Sequence, residues 1–208
     1  MSPALAAQRK IRIEKPRPRA DLSAMSQHYR VFETARGFCA IAWSGAGITR
    51  FRLPEASAQA TERGLKRRLP DATPAEPPPD VARAIGAAQR YFAGERVDFS
   101  DAALDLGDAD AQVLKIYDAA RRLAWGETTT YGALAKTLGD DWELAREVGQ
   151  AMSKNPIPLI IPCHRVLAAG GKIGGFSAPG GSTTKQKMLE MEGVRIGAGE
   201  TAQGSLDF

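Results

Sequence analysis

The chain has 208 residues, 43% hydrophobic and 25% charged, the balance of a soluble folded protein able to bury a core without staples. Two cysteines, Cys39 and Cys163, and two histidines, His28 and His164, exclude a disulfide-dense scaffold and a conventional zinc finger, so no metal is expected. The formal net charge of +4 lies wholly in residues 1–22, where six basic side chains face two acidic ones. That segment reads first as a solvated, disordered arm, and second as an arm that raises nonspecific affinity for nucleic acid.

In chain order, residues 29–32, 37–43 and 48–53 carry strand-like apolar runs, with Ser44, Gly45 and Gly47 between the last two. They predict an antiparallel meander of two or three strands. Cys39 lies inside the second run and reads as a small buried hydrophobe. A helix is expected over 56–69, then a proline-rich connection, 72–80. Asp80 is expected to cap a helix running from Val81 to about Ala93, stopped by Gly94. Residues 99–112 are acidic and weakly patterned, and read as a link to a second domain.

From Val113 the period turns helical, through Ile116, Tyr117, Ala120 and Leu123, with Gly126 as the stop. Thr128, Thr129 or Thr130 offers a cap for a short helix, 131–138. Asp140 or Asp141 offers one for the next helix, 142–153. Two short helices around a Gly139 turn make a helix-turn-helix pattern. Its second helix is not strongly basic, since Glu143 and Glu147 offset Arg146 and Lys154. The expected fold is therefore an α/β N-terminal domain, an antiparallel sheet plus helices, followed by a mainly helical C-terminal domain with a helix-turn-helix. The expected boundaries are a basic disordered tail over 1–24, domains over 25–105 and 106–196, and a flexible tail over 197–208.

The stretch from Asn155 to Val166, NPIPLIIPCHRV, carries the chemistry. Pro156 and Pro158 favour an extended entry, and Pro162 forbids a regular continuation, so Cys163 is presented at a bend. A cysteine becomes a strong nucleophile as its thiolate, and the adjacent His164 can serve as its base if the bend places both side chains on one side. In a regular strand the two side chains would point to opposite faces. A third group should orient the histidine. Glu192 fits, because on a helix over 182–192, capped by Ser182 or Thr183, it shares a face with Met188 and Leu189. The glycine-rich stretch 170–181 lacks a Walker pattern, so it reads as a loop that lets main chain approach a flat ligand.

PCHRV after Asn-Pro and an apolar run, the glycine-rich loop, the KQKMLEMEG helix (185–193) and GETTTYGALA (126–135) together resemble the O6-alkylguanine-DNA alkyltransferase family. The resemblance is strong from about Trp125 to Gly193. It is weaker over 29–110, where RYFAGE (90–95) is similar to the segment closing the family's N-terminal domain. It implies that Cys163 takes an alkyl group from O6 of guanine in one irreversible turnover, with no cofactor. His164 would act through a water, Glu192 would orient His164, and Asn155 would hold the turn. Tyr131 would serve the leaving guanine. The Cys163 and Val166 carbonyls and the Ser177 amide would hold its edge, with Phe176, where the family often has Tyr, as a wall. Arg146 would fill the gap left by the flipped nucleotide, and Ala145, Gly149 and Thr130 would lie along the DNA. The implied partner is double-stranded DNA containing O6-alkylguanine, engaged by a monomer. The alternative is a non-catalytic binder of alkylated DNA that recruits another repair pathway. No run approaches the ~20 apolar residues of a membrane span, and no apolar secretory core opens the chain, so a cytoplasmic location with reduced thiols is expected.

Overall fold

The computed structural model describes residues 26–139 and 143–196. The two tails and the candidate caps Asp140 and Asp141 fall outside these residues. Strands β1 (His28–Thr34), β2 (Gly37–Ser44) and β3 (Gly47–Glu55) form the expected antiparallel meander. The β1–β2 turn needs glycine at Gly37, whose φ is +118° and where an added Cβ would lie 2.5 Å from the Glu55 carbonyl oxygen. β2 is central and covered on both sides. Cys39, Ile41 and Trp43 enter the main core, while Ala40 and Ala42 face a smaller cluster with Leu65 and Ala72. The small alanines let helix α1 (Ala58–Lys66) approach that face.

The expectation of a purely antiparallel sheet is corrected. A short strand, β4 (Thr73–Pro74), lies in the proline-rich connection and pairs parallel to β1, giving a mixed sheet of order β3-β2-β1-β4. Its edge position suits Pro74, which has no N–H to donate. Helix α2 (Pro79–Phe92) starts with Pro79 already in the first turn and has no side-chain cap. Asp80 is thus not its cap but a first-turn carboxylate, favoured by the helix dipole.

Residues 99–110 are more than a linker. Ile48 bridges Leu104 in parallel fashion, and the Arg121 guanidinium donates to the carbonyls of Phe99, Ser100 and Ala102 at 2.9–3.1 Å. Asp110 caps α3 (Ala111–Arg121). This helix ends with Arg122 as its C-cap, so Gly126 belongs to the turn beyond it rather than to the stop. Then follow β5 (Thr129–Thr130), α4 (Tyr131–Lys136), α5 (Leu144–Ser153), β6 (Val166–Leu167) and α6 (Gly181–Met191). β5 and β6 pair in parallel. α6 is preceded by Gly180 in the left-handed region, not capped by Ser182 or Thr183. One continuous core runs from Phe32 and Phe51 through Tyr91 and Ile116 to Cys163 and Met188, so both halves of the chain share it.

Candidate active site

Asn155 builds the approach to the cysteine. Its side chain donates to the Ile161 carbonyl at 2.8 Å and accepts from the Ile157 amide at 2.9 Å, closing a loop over the two prolines. Leu159 within that loop has φ +77°, a conformation costly for a bulky side chain. Phe51 of β3 donates its amide to the Pro156 carbonyl, fastening the loop to the sheet. After Pro162 the chain makes one 3₁₀ turn, Cys163–Arg165. Successive side chains of such a turn diverge by about 120°, so Cys163 and His164 reach different surroundings from adjacent positions. All three residues of the turn are buried. The bend therefore does not expose Cys163 to solvent; it places the thiol at the wall of a pocket.

Glu192 follows α6 as its C-cap and turns inward, 5% exposed. Its Oε1 lies 2.7 Å from His164 Nε2. Arg165 binds both carboxylate oxygens, Nε to Oε2 at 2.8 Å and Nη2 to Oε1 at 2.9 Å. The Gly126 amide and the Tyr91 hydroxyl add donors at 3.1 and 2.9 Å. Burial alone would raise this carboxyl; the bonds and charges of His164 and Arg165 outweigh it and hold it at about 2. A carboxylate so held accepts, so His164 Nε2 carries the proton and Nδ1 is left with a lone pair. Among the described residues, the buried Nδ1 has no hydrogen-bond partner. Burial, reinforced by Arg165 and Lys185, lowers the histidine below its ordinary value against the pull of Glu192. It is thus a neutral base near pH 7.

Burial also raises the Cys163 thiol, opposed by the Asn155 side chain, the charge of Lys185 and the amides of Cys163 and His164. Lys185 is fully buried on α6 and donates to the Val166 carbonyl at 2.6 Å. It lies 5.7 Å from the Tyr131 ring centroid, and burial brings it down to about 8. Of the residues expected to line the site, Asn155, Phe176 and Ser177 meet Cys163 around one pocket of about 360 Å³. The pKa of Tyr131, half-buried at the start of α4, is raised by burial and, secondarily, by the negative charge of a Cys163 thiolate. The Val166 carbonyl accepts from Lys185 and keeps a second lone pair for another donor. Thr130 caps α4 through the Ala133 amide. Arg146 is exposed on α5, and Ala145 and Gly149, four residues apart, share a half-buried face beside Leu144 and Val148, with Ala145 packed against the main core.

Sequence reasoning did not single out Tyr91, Arg165 or Lys185. A signal existed for Lys185, which shares the i, i+3, i+4, i+7 face of Met188, Leu189 and Glu192. For Tyr91 and Arg165 no local pattern marks the role.

Residues 112–194 match the model of the 6-O-methylguanine DNA methyltransferase DNA-binding domain. A methylated-DNA–protein-cysteine methyltransferase of Mycobacterium bovis is 36% identical over 171 residues, 82% of this chain and 95% of that protein. A Thermus thermophilus protein named DNA base-flipping protein is 38% identical over 134 residues, 63% of this chain and 88% of its own. The crystal structure of Mycobacterium tuberculosis OGT in complex with DNA superposes with a TM-score of 0.62 at 36% identity, covering 79% of this chain and 92% of that one. With a relative that similar along nearly its whole length, and a buried Cys-His-Glu arrangement in the matched region, the chain belongs to the methylated-DNA–protein-cysteine methyltransferase family.

Proposed function

We propose that this protein repairs DNA by moving the alkyl group of O6-alkylguanine onto its own Cys163, once and irreversibly. The observation that carries the reading is the 2.7 Å contact between His164 and Glu192 directly behind a cysteine that lines a pocket. His164 takes the thiol proton on Nδ1 through a water, and Glu192 stabilises the resulting imidazolium. The thiolate attacks the alkyl carbon. The S–C bond forms as the C–O6 bond breaks, and the electron pair leaves with the guanine ring. Tyr131, kept protonated by a pKa that burial raises, donates a proton to that ring. The proton gathered by His164 replaces it, so thiol plus alkylguanine gives thioether plus guanine. No second nucleophile is needed, and a thioether has no good leaving group.

A thiol this deep reaches O6 only if the base leaves the stack. We assign Arg146, exposed on α5, to the vacated space, with Ala145, Gly149 and Thr130 along the backbone. Ser177 and Phe176 serve the base, and Asn155 serves the turn. We read 25–105 and 106–196 as two domains between tails over 1–24 and 197–208, acting as a monomer in the cytoplasm. Among the described residues no helix is long and apolar enough to cross a membrane. Intact-mass spectrometry after mixing with a duplex bearing one O6-methylguanine tests the reading. One methyl per protein, mapped to Cys163 and lost in Cys163→Ala, supports it. Tight binding without any mass change would favour the non-catalytic binder, and methyl on Cys39 would refute the assignment.

A further inference from the structure

The Cys163 pocket has a second wall that the alkyl transfer does not use. Strand β3 alternates, so Phe51 and Leu53 point into the core while Arg50 and Arg52 point out to the pocket, which is also lined by Arg68 and Lys154. Arg52 is already engaged. It pairs with Glu55 and lies over α1 at Gly64, where a side chain would collide with its guanidinium. The others are not. Among the described residues, Arg50, Arg68 and Lys154 have no carboxylate partner, and the Arg50 Nε is buried without any acceptor. Arg68 and Lys154 are exposed at the rim. Burial and the charges of Arg68 and Arg52 together weaken the hold of Arg50 on its proton, the mark of cations gathered without an anion.

We infer that Arg50, Arg68 and Lys154 form a phosphodiester-binding site, by which the sheet-bearing half of the chain grips the DNA strand beside the nucleotide entering the Cys163 pocket. The inference rests on the repair reading above. A phosphate fits because it presents several acceptors to a guanidinium fork and neutralises converging cations. A DNA strand fits better than an isolated anion because two of the three groups stand at an open rim. Lys154 also directly follows α5, whose outer face carries Arg146, so the rim continues the surface assigned to the duplex. Arg50, half-buried with its Nε inside, would close on the phosphate from within, supplying the acceptor that Nε lacks.

The test is the salt dependence of binding to a fluorescent duplex with one O6-methylguanine, by anisotropy, with Cys163→Ser as the common background so that binding is read without transfer. Arg50→Gln should lower the slope of log K against log salt by about 0.9, the loss of one phosphate contact, and weaken binding several-fold at low salt. Arg68→Gln, at an exposed position that folding tolerates, should do the same, and the double variant should lose little more because both serve one phosphate. Arg63→Gln, an equal charge change on the exposed side of α1, should leave the slope unchanged. Unchanged slopes in both Arg50→Gln and Arg68→Gln overturn the site, as does an equal loss in Arg63→Gln, which would indicate a diffuse field. Inorganic phosphate that raises the melting temperature of the wild type but not of Arg50→Gln, with equal DNA slopes in both, would assign the cluster to a free anion instead. Methyl transfer from the O6-methylguanine duplex to Cys163 of the unmodified chain, read by intact mass, reports separately on the repair reading. If that reaction fails, the reading falls; if it proceeds and the slopes do not move, only the phosphate site falls.

Discussion

The Tyr91 hydroxyl donates to Glu192 Oε1 at 2.9 Å across 101 residues of sequence. Tyr91 sits on α2, beside the sheet, and its ring also meets His164 edge-on at 6.3 Å between centroids. The sheet-bearing half thereby supplies one donor to the carboxylate that holds the histidine. Removing the hydroxyl in Tyr91→Phe takes a hydrogen bond from a buried charge, a cost of about 2 kcal/mol. Thermal unfolding should fall by several degrees. Alkylation by O6-benzylguanine should slow a few-fold, as Glu192 orients His164 less firmly. A variant as stable and as fast as the wild type would mean that Arg165 and Gly126 suffice to hold Glu192.

The acid side of the stability profile follows from the same carboxylate. Glu192 is depressed to about 2 from its ordinary 4.5, so the unfolded chain binds the proton first. Its contribution is complete above about pH 4.5 and is lost as pH falls through 2. His164, lowered from 6.5 by burial, acts in the same direction: below pH 6.5 the unfolded chain protonates while the folded one resists. Stability should thus decline as pH drops below 6.5 and decline faster below 4.5. Melting temperatures from pH 8 to 3 would check this. Glu192→Gln, less stable throughout, should flatten the part of the curve below 4.5.

On the alkaline side Lys185 has the opposite sign. Buried and lowered from 10.5 to about 8, it resists protonation in the fold. Between pH 8 and 10.5 the unfolded chain binds more protons, so this group makes stability rise with pH in that window. Its positive charge also assists the Cys163 thiolate. Lys185→Met should remove the alkaline rise and slow alkyl transfer near pH 7, with part of the rate recovered at higher pH where the thiol ionises unaided. A pH–rate profile identical to the wild type would rule out electrostatic support of the thiolate.

The cluster of Cys163, His164 and Glu192 was legible because each residue left a local mark. Pro162 before Cys-His announces a bend, and Glu192 shares a helical face with Met188 and Leu189. The meander was legible because β2 reads as one apolar run. What stayed hidden depends on tertiary packing. Arg165 looks like a solvated cation until the 3₁₀ turn aims it at Glu192. Tyr91 looks like one more core aromatic. β4 consists of two residues, one a proline, and exists only because β1 offers an open edge. Asp80 had the chemistry of a cap, but Pro79 begins the helix a residue earlier.

Alkylation itself should destabilise the protein. Cys163 is 5% exposed and packs in the main core. A methyl group adds volume beside Asn155, and the thioether can no longer become the thiolate that the Asn155 side chain favours. Overpacking of this size costs about 1–3 kcal/mol. The melting temperature of the methylated protein should fall by roughly 2–12 °C, at about 2–4 °C per kcal/mol for a domain of this size. A benzyl group should lower it further. Equal melting curves before and after complete reaction would show that the pocket accommodates the group without strain.

Arg146 offers the sharpest separation of DNA handling from chemistry. It is exposed on α5, away from the buried Leu144 and Val148, and has no part in the carboxylate network behind Cys163. A solvated helix residue would give a nearly silent Arg146→Ala. A residue that occupies the space of the flipped guanine would instead be needed to keep the base out of the stack, where unstacking costs a few kcal/mol. Free O6-benzylguanine needs no flipping and should react with Arg146→Ala at close to the wild-type rate. Repair of O6-methylguanine in a duplex should slow at least tenfold, so the ratio of duplex to free-base rates should drop by the same factor. An unchanged ratio removes Arg146 from the DNA interface and leaves Cys163, His164 and Glu192 untouched.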